Sequence, residues 1–509
     1  MGYAQKKEKN YIRNTKRIIT NLNYPMNRFY KTPLLIALIA VASAANAQQE
    51  QRAQTFTLEQ CIEYALKNSV NMQNILIDEQ IADSRIKETI GIGLPQISGT
   101  VNATNNPQLP RFFGTKQRMA GFAGVDSAHY GDFLPNLKDN DVVAAQNFFQ
   151  LKNSLNASIS VNQLIFNGSY LVGLKASSVY KELAQKSTRQ TKEQTIEMVT
   201  KAYYGALINK ERINLFQNNI ARVDSLLKNT SALNTNGFAE SIDVDRIQVT
   251  LNNLTTEKAN FERLQVLSIE VLKAQMNYPI DQPLELTGSI SSITTDVQMD
   301  NYLKDWDYKN RPDYQVLESN RKLQELNVRN KYAAGMPVLS ANANLGYGKQ
   351  ANTFGNLFAA APNFSEQSGV GPGKMYPYSS IGITLSVPIF SGLQRSQQLQ
   401  QEKLRLIKID NSFKMLKSGI DLQIKQAVTT YQNSIQSLDS QKKNMALADK
   451  VARVTKIKYQ QGVGSNLEVV DAESSLKESQ VNYYNALYNT LVAKTDLDKA
   501  FGKLLPSTN

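Results

Sequence analysis

Apolar residues recur along this chain with two periods, and the switch between them happens in a fixed order. From Thr57, Leu58, Ile62, Ala65 and Leu66 share a helical face, and a second helical segment, Val70 to Gly91, carries Ile75, Ile81 and Ile86. Leu94-Pro95 ends it. The period then drops to two: Ile97, Gly99, Val101 and Ala103 alternate with Ser98, Thr100, Asn102 and Thr104, which predicts a strand. An irregular stretch, Asn105 to Lys152, holds Pro107, Pro110, several glycines, His129 and many aromatics. A second strand follows, with Leu155, Ala157, Ile159 and Val161 alternating with Asn156, Ser158, Ser160 and Asn162 and closed by Phe166-Asn167-Gly168. Helical spacing resumes from Ser169 to about Asn234, turns at Asn236-Gly237-Phe238, and returns from Ser241 to Tyr278, where Pro279 stops it.

The same order then repeats. A short helix around Trp306 and a helix opened by Pro312 lead to Met336-Pro337 and a strand with Leu339, Ala341, Ala343, Leu345 and Tyr347 on one side. After a loop from Lys349 to Pro377, Ile381, Ile383, Leu385 and Val387 mark a fourth strand, closed by Ile389-Phe390-Ser391-Gly392. A very long helical hairpin follows, from near Leu393 to Phe501, turning at Gly462-Val463-Gly464, with Ser465 or Asn466 capping the returning helix. Leu94-Pro95 pairs with Met336-Pro337, Phe166-Asn167-Gly168 with Phe390-Ser391-Gly392, and Gly237, Ile242 and Asp243 with Gly462, Leu467 and Glu468. The chain is a tandem duplication whose second copy trails the first by about 225–240 residues. The predicted organisation is an N-terminal segment 1–47; a first repeat 48–278 with strands 96–104 and 153–166 and a tip 235–241; a linker 279–298; a second repeat 299–502 with strands 338–348 and 378–390 and a tip 460–466; and a tail 503–509.

Ser169 to Asn234 makes a helix of roughly 100 Å at about 1.5 Å per residue, and the returning helix plus Val70–Gly91 nearly match it end to end. Each half therefore suits two columns, one continuous and one broken. Leu416, Ile420, Ile424, Ala427, Tyr431, Ile435 and Leu438 follow an eleven-residue repeat, close to a straight helix and unlike a left-handed coiled coil.

Charge adds an address. The formal net charge is +13, but most of it sits in residues 1–47, where Lys6, Lys7, Lys9, Arg13, Lys16, Arg17, Arg28 and Lys31 face one acid, Glu8. No basic run with interleaved aromatics remains, so nucleic-acid binding is not expected. Arg28 and Lys31 precede the apolar run Leu34 to Val41 and then Ala45-Asn46-Ala47, an export signal with cleavage expected after Ala47; it is complete from Met26, a second candidate start. The single Cys61 and single His129 leave no disulfide framework, no Cys/His zinc site and little nucleophilic chemistry, so neither an enzyme nor a cofactor is expected.

Four alternating strands of about ten residues suit tilted outer-membrane strands, although a soluble sheet alternates in the same way. Four cannot close a barrel, since the smallest spanning barrels have about eight; three copies would supply about twelve.

With Thr57-Leu58-Glu59-Gln60, Ala65-Leu66-Lys67-Asn68, the two Leu/Met-Pro junctions, Pro388-Ile389-Phe390-Ser391-Gly392 and the paired glycine turns in this order, the chain resembles the TolC-like outer-membrane efflux proteins from about Thr57 to Gly502. The resemblance implies a mainly α protein with a small membrane sheet. Three copies would form a twelve-stranded β-barrel in outer-membrane lipid, joined to a periplasmic α-barrel of twelve helical columns. It implies a passive exit duct of a tripartite efflux or type I secretion system, with a periplasmic adaptor and an inner-membrane pump of RND, ABC or MFS type as partners. Glu468, Asp471, Tyr459 and Asp243 match positions lining or gating the periplasmic aperture; Asn236, Gly237, Phe238, Gly462, Val463 and Gly464 would be the tips that meet the adaptor. Gly464 stands where the family pattern has a basic residue tied to the carboxylate matched by Asp243, leaving Asp243 either Arg246 or no partner. The competing reading is an exported, non-channel helical protein of the cell envelope with a structural or binding role.

Overall fold

The computed structural model describes residues 54–122, 134–145, 150–290, 293–295, 297, 300–304, 306–359 and 374–505. The export signal, His129 and most of the tail 503–509 lie outside them. The chain divides into two units. In the smaller, β1 (Gln54–Phe56) runs parallel to β6 (Leu284–Leu286), and Thr287 N–H donates to the Phe56 carbonyl at 3.0 Å. The stretch 279–298, expected to be a plain linker, therefore contains a strand, and residues 54–56 pair with it. Three residues are too few for alternation to signal a strand.

The larger unit is built of helices and a four-stranded sheet. The helix α1 (Leu58–Asn68) opens with a capping box: the Gln60 amide donates to Thr57 Oγ1 at 3.3 Å, and Thr57 N–H donates to Gln60 Oε1 at 2.9 Å. Ser69 caps α2 (Val70–Ile92). Then come β2 (Gln96–Asn105), β3 (Phe112–Thr115), α3 (Lys116–Phe122), β4 (Val142–Ala145) and β5 (Asn153–Asn167). Asn167 caps α4 (Gly168–Thr235), whose partner is α5 (Ser241–Met276). The second half holds α6 (Asp300–Leu303), a 3₁₀ turn at Tyr308–Asn310, α7 (Pro312–Ala333), β7 (Val338–Ala351), β8 (Tyr376–Ser386), α8 (Gln394–Gln460) and α9 (Asn466–Ala500).

Three local expectations need correction. Trp306 lies between α6 and the 3₁₀ turn rather than inside a helix. The fourth strand stops at Ser386 instead of running to residue 390, because Pro388 has no N–H to give the ladder. The third strand runs past residue 348 to Ala351, where it still pairs with Asn153, whose Nδ2 donates to the carbonyls of Ala351 and Asn352. The stretch 105–152 is also less irregular than it reads: β3 and β4 pair antiparallel, and buried Lys116 holds the Leu137 carbonyl at 2.9 Å.

The sheet order is β2-β5-β7-β8, antiparallel throughout, so the two repeats meet at β5–β7 and the outer edges are β2 and β8. The long helix α4 packs against α1, α2, α5, α7 and α9, while α8 packs against α7 and α9. Burial follows: α4 has 19 buried residues in 68 positions, and α8 has five in 67. The predicted stripe on α8 is its packed face, with Ile420, Ala427 and Tyr431 buried and Ile424 and Ile435 against the same cluster. The rest of α8 leaves Leu404, Ile407, Met415, Leu422, Leu447 and Val451 exposed.

Candidate functional site

Two regions could do work, the sheet and the hairpin tips. The sheet register sorts side chains by chemistry, because residues paired across an antiparallel ladder share a face. One face carries Ile97, Val101, Ile159, Leu345, Tyr347, Ile381 and Ile383, all exposed. The other carries Ser98, Thr100, Asn102, Ser158, Ser160, Asn342, Asn344 and Thr384. The polar face is laced together across strands: Thr100 Oγ1 and Ser158 Oγ at 3.1 Å, Ser160 Oγ to Asn344 Oδ1 at 3.2 Å, Thr384 Oγ1 to Asn342 Oδ1 at 3.3 Å. Gly346 is a requirement of the packing. A Cβ there would stand 2.6 Å from the Tyr378 ring and 2.8 Å from the Ala157 carbonyl oxygen. The pattern is inverted relative to a water-soluble sheet, whose apolar face is the covered one.

The two tips share one geometry. At the end of α4, Phe238 N–H donates to the Leu233 carbonyl at 2.8 Å and Gly237 N–H to Asn234 at 2.9 Å, with Gly237 at φ +78°. At the end of α8, Val463 N–H donates to Lys458 at 3.0 Å and Gly462 N–H to Tyr459 at 3.0 Å, with Gly462 at φ +76°. Both are Schellman motifs, in which a left-handed residue after the helix lets its last carbonyls find donors. The turns push Phe238 (81 % exposed) and Val463 (76 %) into solvent.

Ser465 caps α9 by accepting from the Glu468 amide at 3.3 Å. Glu468 and Asp471 are both exposed, and neither joins an ion pair among the described residues. Asp243 is half-buried and pairs with Arg246 at 3.5 Å, one of the two alternatives left by the glycine at 464. The reason for that glycine is steric: a Cβ on Gly464 would lie 3.2 Å from both Lys458 Cβ and the Tyr459 nitrogen. Tyr459 turns inward, its hydroxyl 3.2 Å from Thr230 Oγ1 on α4.

Sequence reasoning missed what joins the two hairpins. Asn466 is buried, and its Nδ2 donates to the Asp243 backbone carbonyl at 3.0 Å. Farther from the tip, Arg222 on α4 meets buried Glu473 on α9 through Nη2 at 3.1 Å and Nε at 3.2 Å, while Asn219 Nδ2 donates to Gln480 Oε1 at 3.0 Å. Lys477 reaches Glu257 on α5 at 3.2 Å. The signal for Glu473 was present: it adjoins the buried stripe Val469, Ala472 and Leu476, where a carboxylate needs a partner. The partner on another helix could not be read from spacing.

No helix among the described residues is long and apolar enough to cross a membrane, a fact silent about a barrel. Residues 308–503 match the family model described as outer membrane efflux protein. The chain is 21% identical over 449 residues to the outer membrane protein TolC of Escherichia coli strain K12, covering 82% of this chain and 85% of that one. Among solved structures it resembles CusC, with a TM-score of 0.66 at 14% identity over 87% of this chain and 91% of that one. It also resembles the outer membrane protein VceC of Vibrio cholerae, with a TM-score of 0.64 at 15% identity over 87% of this chain and 96% of that one. The mainly helical fold with its few strands is that of these channels, and the chain resembles the TolC-like efflux proteins of the outer membrane, which are channels rather than enzymes.

Proposed function

We propose that three copies close into one duct, which serves as the exit channel of a tripartite efflux or type I secretion system. The observation that carries this is the open sheet: β2 and β8 are its outer edges, and its exposed face is apolar. Unpaired edges cannot stay bare in lipid, where every backbone polar group needs a protein partner. The order β2-β5-β7-β8 alternates direction, so β8 of one copy meets β2 of the next antiparallel, and the ladder continues around a ring. Three copies give about twelve strands, enough for an open lumen, whereas two give about eight, which side chains would fill. The apolar face then meets outer-membrane lipid and the Ser/Thr/Asn face lines the bore. The exposed sides of α5 and α8 suit contact with neighbouring copies.

At the other end the tips present Asn236, Gly237 and Phe238, and Gly462, Val463 and Gly464, to a periplasmic adaptor that links the duct to an energised inner-membrane pump. Glu468 and Asp471 become rings of three carboxylates near the aperture, which attract cations and resist crowding. Purified full-length protein in mild detergent should run as a trimer and conduct in planar bilayers with weak cation preference. The double variant Glu468→Gln, Asp471→Asn should lose that preference. A stable monomer without conductance would overturn the duct; a conducting trimer with unchanged selectivity would overturn only the carboxylate rings.

A further inference from the structure

Away from the tips, α9 ends at Ala500 and α7 begins at Pro312, and one buried arginine ties the two ends together. Arg311 donates to Asp313 through Nε at 3.0 Å and Nη2 at 2.7 Å, and through Nη1 to Gln423 Oε1 on α8 at 2.7 Å and to the Ala500 carbonyl at 3.2 Å. Glu193 on α4 faces this joint. It is 5 % exposed, and its Oε1 is buried and takes no hydrogen bond among the described residues. Around it, Lys499 on α9 holds Glu197 at 2.6 Å, and Lys201 holds Glu197 at 2.7 Å and Asp496 at 2.5 Å. Among the described residues, the joint thus sets four carboxyls, Glu193, Glu197, Asp313 and Asp496, against three cations, Arg311, Lys499 and Lys201. Three of those carboxyls hold a cation by hydrogen bond, and Glu193 is the one left over.

We propose that Glu193 is a pH-sensitive pin: protonated, it lets α4 pack against the joined ends of α7 and α9, and its ionisation loosens that joint. The step breaks the carboxyl O–H bond and releases the proton to solvent. The new carboxylate then competes with Asp313 for Arg311 and with Glu197 for Lys499. A buried carboxylate without a partner is costly, so the neutral form belongs to the packed state. Burial pushes the Glu193 carboxyl up to about 7, with Asp313 and Glu197 acting in the same direction and Arg311 and Lys499 against it. Also on α9, Asp498 is held by Tyr302, with Lys494 and Lys503 nearby, while α8 contributes the neutral Gln423. The folded value lies above the ordinary 4.5, so this stabilisation is fully present below that value and is lost as pH rises through about 7. The joint lies within one chain, so the inference does not depend on the number of copies in the duct.

The test compares thermal midpoints of the full-length protein in detergent at pH about 5 and about 8 with those of Glu193→Gln, a neutral isostere of the protonated side chain. The two proteins should coincide at the lower pH, and the variant should lose less of its midpoint at the higher one. Parallel declines, or a variant already weakened at the lower pH, would overturn the proposal. Should the variant fail to accumulate, hydrogen exchange of the wild-type protein decides. After correction for intrinsic rates, amides at 310–314 and 497–502 should open at least about tenfold more at the higher pH, the equivalent of one pK unit. A pH-independent opening overturns the proposal.

Discussion

Asn466 shows how much one side chain settles at this tip. Read in sequence it is a second candidate cap; in the fold Ser465 takes the cap, and Asn466 reaches the Asp243 carbonyl on the other hairpin. Deeper in, the pair Arg222–Glu473 does the same work with charge. Glu473 is buried while Arg222 keeps a third of its side chain in water, so the pair is only partly desolvated. Arg222→Met should strand the carboxylate and cost about 2 kcal/mol, below the range for a fully buried pair. Glu473→Gln in the same protein should recover about half of that, since the amide needs no counter-charge. Thermal melts of the single and double variants measure it, and simple additivity would show that the two residues do not act on each other.

The hairpin turns belong to the scale of elements, because their backbone conformation ends one helix and starts the next. Gly237 and Gly462 stand in the left-handed region with open space around them, so a substitution there costs through backbone strain rather than through a clash. Gly462→Ala should destabilise the tip by about 1 kcal/mol and Gly462→Asn by less, as asparagine tolerates that region. Gly464 is different, since its obstacle is the close approach of Lys458 and Tyr459 and not φ. Gly464→Ala should shift the turn and weaken the Tyr459–Thr230 contact, which tyrosine fluorescence and amide exchange at residues 457–466 would register. In the sheet, Gly346→Ala puts a methyl against the Ala157 carbonyl, which cannot move without breaking the ladder. Its expected effect is a lower yield of the proposed trimer in mild detergent.

At the scale of the whole molecule the governing fact is unequal burial. α4 is sheathed by α1, α2, α5, α7 and α9, whereas α8 shows most of its length to solvent. The sheet makes the same point with its faces, since one is apolar and uncovered. A charge on that face should be ruinous and a charge on the other tolerable. Ile381, 86 % exposed, is the probe: Ile381→Lys should cost about 2–4 kcal/mol if it lies near the bilayer midplane. Asn342→Asp keeps the acceptor used by Thr384 and should assemble normally while shifting conductance toward cations. Outer-membrane yield of the assembled form, measured for both variants, separates the faces. Equal tolerance would mean that neither faces lipid.

What periodicity could determine by itself was whatever repeats locally. The alternation of Ile97 to Ala103 and of Ile381 to Val387, the eleven-residue stripe on α8 and the paired glycine turns are set by neighbours a few residues apart. They announced the strands, the hairpins and the duplication. The tertiary structure decided what depends on distant partners. It chose β5 against β7, and it gave residues 54–56 to a strand 230 residues away. It also joined Arg222 to Glu473, Asn466 to Asp243, and Arg311 to the end of α9. These contacts bridge elements that sequence spacing does not relate. A buried polar atom accepts whichever donor the packed chain brings within about 3 Å, and no local pattern records which one that will be.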